Sequence, residues 1–493
     1  MDRPARLRSI VVVGGGVTGW MAAAALAPFT RSGMRVTLID CAVDEVGAQA
    51  TLPAHRDFHT LMGIDEHDML ASAGGTMRLG AGFTDPVRRA AYVHAFGDFG
   101  LEVGGVAFYQ LWLRAHAAGQ GIDLDDYSLA AIAAKMGRFA RPAADKRAMM
   151  DYGYHLETAA YAAYLRSQAL AQGVACEAGE IASVALDSES GLIAAVVLHD
   201  GRSIPGDFFV DCSGARAALI GGALGEPFED WSAWFPCDRE VRAESAVLAD
   251  LPPLTTVSAY GSGWQRRLPL QRMTWHGRSF IAGETSDDAA LAGQNIINEP
   301  RFAALRAGKR RRLWARNCAA IGAAGVSIEP IEAGELDLAH VGILALLSLM
   351  PDRDGSMVEA DEFERRMTGE IQELRDLTLL HRVSMEGDKP ILRVAGEIVP
   401  LPDSLAHRVE LFRGRGRLQP RDNAAFGPAD WLAVLLGRAI LPVSWDPLAD
   451  AIDVPRAQQN FLRLAGLFRQ SAETMPGHAA YIARHCAAMS RAD

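Results

Sequence analysis

The chain has 493 residues, a formal net charge of -11 and 49% hydrophobic residues. That length exceeds one compact core, so two lobes sharing a core are expected, and the apolar content excludes a disordered protein. The acidic balance argues against a general nucleic-acid or anionic-membrane binder, because either needs a cationic face.

The longest apolar run, near Val341 to Met350, is too short to cross a bilayer. The N-terminus carries Arg3, Arg6 and Arg8 before Ile10–Val13, but a secretory signal would need a longer apolar stretch and a small-residue cleavage site. The six cysteines (Cys41, Cys176, Cys212, Cys237, Cys318 and Cys486) show neither a CxxC pair nor metal-ligand spacing. A reduced, cytoplasmic protein with no metal site fits best.

Ile10–Val13 reads as a buried strand, Thr18 to Ala27 as a helix and Val36–Ile39 as a second strand, which together make a parallel βαβ unit. Met149 to Leu170 predicts a helix. Ala182–Leu186, Ile193–Leu198 and Phe208–Val210 predict strands, with the turn at His199-Asp200-Gly201 pairing the last two as a hairpin. Arg301 to Arg316, Asp361 to His381, Pro428 to Leu436 and Arg456 to Cys486 predict helices, so the C-terminal region is mostly helical. The run Lys309-Arg310-Arg311-Arg312 reads as a solvated helix face. No repeat or long linker is present, so a second lobe must be interwoven with the first.

Gly14, Gly16 and Gly19 form GxGxxG directly after a strand and at the start of a helix. The first glycine permits the tight turn, the second a close approach of backbone to pyrophosphate, and the third close helix–strand packing. Val17 and Thr18 complete the loop, and Asp40 stands about 20 residues on, where an acid accepts from a ribose hydroxyl. The glycines do not choose between NAD and FAD. The segment Asp207 to Gly214 sets Asp211 and Gly214 at a strand end, which resembles the second flavin-contacting segment of FAD monooxygenases.

Further segments extend the resemblance. Gly14 to Ala23, Phe58 to Glu66, Asp211 to Gly214, Pro236 to Asp238, Trp264 to Leu270, Ser286 to Asp288, Asn317 to Gly322, Glu329 to Glu332 and Asp446 to Asp450 follow one another in the order seen in the flavin-dependent tryptophan halogenases. The chain resembles that family from about residue 10 to about residue 455. The resemblance implies an α/β fold with a Rossmann-type FAD-binding lobe like that of glutathione reductase and p-hydroxybenzoate hydroxylase, an interwoven substrate lobe and a helical C-terminal region. Residues 1–230 and 255–345 are then the FAD lobe with interleaved substrate segments, and residues 346–493 complete the substrate lobe. Gln49, Ala50 and Gly322 join the cofactor contacts. In that family a separate flavin reductase supplies reduced FAD, and oxygen and chloride or bromide then give hypohalous acid. The acid travels through a tunnel to a lysine beside an aromatic substrate, where a glutamate polarises the halogenating species or takes up the ring proton. Glu332 matches that glutamate. The implied partners are the reductase and a small or peptide-like aromatic substrate, with a homodimer compatible and no nucleic acid or membrane.

Four segments depart from the family pattern. Arg78 stands where the lysine should. The WxWxIP signature reads Trp264 to Pro269 with Arg266 in place of its second tryptophan. The flavin-contacting GVGEAT reads Val46 to Thr51, with Gln49 in place of the carboxylate. After Glu332, where small residues hold halide on backbone amides, Ala333 and Gly334 are followed by Glu335, whose charge would repel a halide if it points inward. The pair Arg266-Arg267 predicts a more polar substrate lining, or else two solvent-facing cations. Three functions follow: a halogenase for an aromatic other than free tryptophan, an FAD-dependent monooxygenase or oxidase that uses no halide, and a catalytically silent flavin-binding protein.

Overall fold

The computed structural model describes residues 6–41, 47–85, 90–120, 123–146, 148–332, 334–352, 357–419 and 424–488. Val46 and Ala333 lie outside them. A six-stranded sheet organises the first lobe, in the order Trp314–Ala315, Cys318–Ala320, Phe208–Asp211, Ser9–Val13, Arg35–Asp40, Ala175–Ala178. All its pairs are parallel except the outermost, between Trp314–Ala315 and Cys318–Ala320. The continuous apolar run of Ser9–Val13 is explained by two-sided burial. Ile10 and Val12 enter the main core with Met21 and Ala25 of helix Val17–Leu26. Val11 and Val13 enter a second core with Ile193, Val196 and Phe209. One face is therefore covered by helices Val17–Leu26 and Thr158–Ala171, and the other by a three-stranded antiparallel sheet of Ile181–Leu186, Ile193–Leu198 and Ser203–Pro205.

The local expectations need four corrections. The turn at His199 to Gly201 pairs Ile193–Leu198 with Ser203–Pro205, not with Phe208–Val210. The latter run is apolar on both sides and is drawn into the parallel sheet beside Ser9–Val13. The helix expected from Met149 begins only at Thr158, because Gly153–Glu157 forms a strand with alternating bulky residues. The stretch Arg301 to Arg316 is not helical. It makes strands Arg301–Ala304, Gly308–Arg310 and Trp314–Ala315. Gly308 sits at φ 152°, where a Cβ would strike the Glu229 carbonyl, so the chain turns into pairing with Phe228–Asp230 instead of coiling. Its cations are dispersed rather than forming a helix face: Lys309 pairs with Glu229 and Arg312 with Asp361. Finally, Pro476 and Gly477 split the expected C-terminal helix into Val454–Thr474 and His478–His485.

The second large element is a seven-stranded sheet in the order Arg301–Ala304, Arg239–Ser245, Thr274–Phe280, Gly263–Pro269, Thr255–Tyr260, Gly80–Asp85, Ala90–Ala95. A small antiparallel ladder, Ala48–Ala50, Gly153–Glu157, Thr76–Arg78, packs Ala48 and Ala50 against Leu268 and Trp275 of this sheet. The helices Glu335–Ser348, Met357–Leu380, Asp403–Arg415 and Pro428–Gly437 follow, with a three-stranded sheet of residues 383–399 among them. No described helix is long and apolar enough to cross a membrane.

Asp211 holds the end of the parallel sheet together. Its fully buried carboxylate accepts from Ser213 N and Oγ on one oxygen, at 3.0 and 2.6 Å, and from Leu219 N and Ile220 N on the other, at 2.8 and 2.9 Å. It is turned into the protein, so it fixes the loop that carries Gly214 rather than reaching out from it. Asp211→Asn keeps the shape but sets an amide against two backbone donors. We expect a loss of about 3 kcal/mol of unfolding free energy, read by chemical denaturation; a loss under about 0.5 kcal/mol would contradict this assignment.

Candidate active site

The loop Gly14–Gly16, Asp40, the turn Cys212–Gly214 and Gly322 follow the carboxyl ends of neighbouring parallel strands, the place where open α/β sheets bind ligands. The backbone there is packed too tightly for side chains. A Cβ on Gly14, at φ 133°, would fall 2.2 Å from the Cys212 carbonyl oxygen, and one on Gly19 would fall 1.8 Å from the Gly14 carbonyl. Gly15 is as constrained: its Cβ would lie 1.9 Å from Asp40 Oδ1. Gly322, at φ 67°, packs on Thr18 in the same way. Helix Val17–Leu26 has no side-chain cap and no acid in its first turn, so its N-terminal amides and dipole suit an anion. The cradle therefore fits a flavin dinucleotide. Gly14, Gly16, Val17, Thr18 and Gly19 make the loop and first helical turn of this cradle, and the Asp40 carboxylate lies against Gly15.

Gln49 and Ala50 lie on the small ladder, one strand away from Arg78 across Gly153–Glu157. Gln49 Oε1 abuts Gly334, within 2.9 Å of where a Cβ would stand. Asp337 fastens the same two segments, accepting from Leu52 N at 2.8 Å and from Gly334 N at 3.3 Å. Burial raises the Asp337 carboxyl to about 6, against the pull of these two amides.

Arg78 and Glu332 do meet. The Arg78 side chain is fully buried. Its Nε donates to Thr255 Oγ1 at 2.9 Å, one terminal nitrogen to the Thr51 carbonyl at 2.9 Å, and the other to the Glu332 carbonyl at 3.2 Å, with Glu332 Oε1 at 3.7 Å. Phe96 lies under the guanidinium at 4.8 Å. Glu332 is gripped by two histidines that sequence reasoning missed. His94 Nδ1 stands 2.5 Å from Oε1 and His381 Nε2 3.1 Å from Oε2. Behind them, His94 Nε2 meets Asp430 Oδ1 at 2.7 Å and His381 Nδ1 meets the Tyr92 hydroxyl at 2.7 Å. Burial alone would raise the Glu332 carboxyl, but His94 and His381 hold it well below the ordinary carboxylate range. Burial would lower His94, yet Glu332 and Asp430 push it up to about 10, so it is a cation at neutral pH.

The expected substrate residues separate. Trp264 is buried, edge-on to Phe83 at 6.5 Å, and its indole nitrogen has no hydrogen-bond partner among the described residues. Phe83 stacks on His381 at 4.1 Å and on Tyr92 at 5.0 Å, so an aromatic wall runs from Trp264 to the Glu332 cluster. Pro269 is buried and its carbonyl accepts from Thr76 Oγ1, two residues from Arg78. Arg266 does not give the polar lining expected of it: its guanidinium pairs with buried Glu240 at 2.8 Å and lies over Trp275. Arg267, next along the strand, faces solvent. Glu335 keeps accessible surface. Desolvation raises its carboxyl, opposed by Arg242 and reinforced by Glu240.

The missed residues carried weak signals. Tyr92 and His94 alternate on one strand face, but His381 and Asp430 lie some 290 to 340 residues further on and reach the site only through the tertiary fold.

Comparison with known proteins agrees with this geometry. The profile of the tryptophan halogenase family matches residues 9–454. A flavin-dependent halogenase from Brevundimonas sp. BAL3, BrvH, superposes with a TM-score of 0.90 at 34% identity, covering 97% of this chain and 99% of that one. Xcc4156, a flavin-dependent halogenase from Xanthomonas campestris, gives 0.92 at 34% identity over 99% and 100%. The tryptophan 6-halogenase ThaL of Streptomyces albogriseolus is 28% identical over 443 residues, 83% of this chain and 82% of that protein. With its parallel-sheet cradle, its buried glutamate and a family match along nearly the whole chain, this protein belongs to the flavin-dependent tryptophan halogenase family.

Proposed function

We propose that this enzyme uses reduced FAD, delivered by a separate reductase, to oxidise halide, and halogenates an aromatic substrate other than free tryptophan without carrying halogen on residue 78. The observation that supports this is the clamp on Arg78, all three of whose nitrogens are engaged by Thr255, Thr51 and Glu332. A haloamine needs a neutral amine as nucleophile, and a guanidinium stays protonated. Arg78 is a positioning residue in this reading: it fixes the Glu332 main chain and adds positive charge beside the carboxylate. Reduced FAD, held at Gly14–Gly19 and Asp40, would supply the electrons for oxygen activation. Glu332, held ionised, is a poor proton acceptor. Its role is to accept a hydrogen bond from hypohalous acid and to stabilise positive charge as it develops on the ring. The aromatic wall of Trp264, Phe83 and His381 leads a flat substrate toward it.

A second reading, oxygenation without halide, is favoured by the turn after Glu332. The Gly334 amide is engaged by Asp337, and the next residue in the segment where the resemblance sets the halide is a carboxylate, Glu335.

The deciding experiment supplies reduced FAD, oxygen and bromide to the protein, with monochlorodimedone as trap and a panel of indoles and phenols. Bromide-dependent bromination of the trap, slow turnover of free tryptophan, and a gain of about tenfold in substrate bromination on Arg78→Lys support the proposal. Oxygenated product formed equally without bromide supports the second reading. Efficient bromination of free tryptophan by the native enzyme, undiminished in Arg78→Ala, overturns the role given to position 78.

Gly16→Val should abolish the rise in melting temperature that FAD gives the native protein, measured by thermal shift. An equal rise in the variant would move the cofactor elsewhere.

The His94–Glu332 pair also predicts a pH dependence. His94 is raised in the folded state, so its contribution is complete below its ordinary value of 6.5 and is lost as pH rises toward about 10. Glu332 is depressed, so its contribution is present above 4.5 and is lost only in stronger acid. His94→Gln should therefore cost about 3 kcal/mol near pH 6, with the gap from native narrowing steadily toward pH 9.5 in urea titrations. A gap independent of pH would contradict the charged pair.

A further inference from the structure

We propose that His55, Asp337 and His340 form a binding site for one divalent first-row transition ion, zinc above all, that ties helix Ala54–Leu61 to helix Glu335–Ser348. All three side chains are buried, and one ligand atom from each lies within 4.8 Å of the others. Asp337 and His340 are three residues apart on one helix, so they share a face, and His55 comes to that face from the opposite helix. A zinc ion takes such donors at about 2 Å, which asks the three groups to draw in by about 1 Å.

The surroundings are those of a ligand shell. The Nδ1 atom of His55 has no hydrogen-bond partner among the described residues, in a region where an unmatched polar atom is costly. The Tyr161 hydroxyl bridges His55 Nε2 at 3.2 Å and His59 Nε2 at 2.6 Å. A hydroxyl donates one hydrogen bond, so it accepts from the other imidazole. When His55 is that donor, its Nε2 carries the proton and its Nδ1 lone pair is free for a metal, the usual outer hydrogen bond of a metal-bound histidine. Imidazole and carboxylate donors together suit zinc, iron or cobalt rather than magnesium or calcium. Asp337 also accepts from Leu52 N and Gly334 N, so an ion here would stiffen the junction between the Gln49 segment and the turn after Glu332. The site lies outside the chemistry proposed above.

The test uses the full chain, dialysed against a chelator and titrated with zinc chloride by calorimetry, and with cobalt chloride by visible absorption. We expect one equivalent bound, a higher melting temperature, and cobalt d–d bands of a low-coordinate nitrogen/oxygen site. His55→Gln and His340→Gln should each weaken zinc binding by about 100-fold or more, whereas His59→Phe should leave it within about threefold. No stoichiometric binding by the native chain would show a hydrogen-bonded histidine core and overturn the site. So would zinc binding that persists undiminished in both glutamine variants, because surface histidines would then be the ligands.

Discussion

A carboxylate taken out of water needs compensating charge, and Glu332 imposes that requirement on the whole centre of this molecule. Its 5% exposure leaves little for solvent to stabilise. The compensation comes from three separate parts of the chain: Arg78 on the small ladder, His94 on the edge strand of the large sheet, and His381 just beyond a long helix. Each of these is itself held. Thr255 and Thr51 fix Arg78, Asp430 fixes His94, and Tyr92 fixes His381. Removing the carboxylate would leave two cations facing one another in a dry interior. The cluster is therefore an architectural node as well as the chemical centre.

The flavin cradle connects to this node through short links. The segment Ala48–Leu52 leaves the ladder, touches Gly334 through Gln49 and is fastened to helix Glu335–Ser348 by Asp337. A change in the cofactor segment is thus felt two residues from Glu332. Arg266 shows the same economy. Where the family signature has an aromatic ring, this chain places a guanidinium over Trp275 and neutralises it with Glu240, which Arg242 also contacts. Trp275, one strand over, supplies the aromatic surface, and its ring occupies the space beside Gly277, where no side chain fits.

What was legible in the sequence was local or covalently ordered. The Gly14–Gly19 loop, its strand and helix, and the acid at Asp40 follow from spacing, because a dinucleotide cradle is built within one βαβ unit. The helices Met357–Leu380 and Pro428–Gly437 follow from periodicity. What escaped depended on partners distant in sequence. The stretch Arg301 to Arg316 has a helix-like composition, yet three sheets claim it: Arg301–Ala304 pairs with Arg239–Ser245, Gly308–Arg310 with Phe228–Asp230, and Trp314–Ala315 with Cys318–Ala320. Phe208–Val210 looked like a hairpin arm because the turn before it was visible and its true neighbours, Ser9–Val13 and Cys318–Ala320, were not. Arg78 and Glu332 were found by resemblance, but the histidines that set the charge of Glu332 come from strands and helices whose meeting no local pattern records.

Arg78 acts as a fixed counter-ion of Glu332. A double-mutant cycle of unfolding free energies across native, Arg78→Met, Glu332→Gln and the double variant at pH 7 measures that coupling directly. A fixed counter-ion gives an interaction energy of about 1–3 kcal/mol, with the double variant less destabilised than the two singles summed. Additivity within about 0.3 kcal/mol would contradict it, because Arg78 would then be held by Thr51, Thr255 and the Glu332 main-chain carbonyl alone and would owe nothing to the carboxylate.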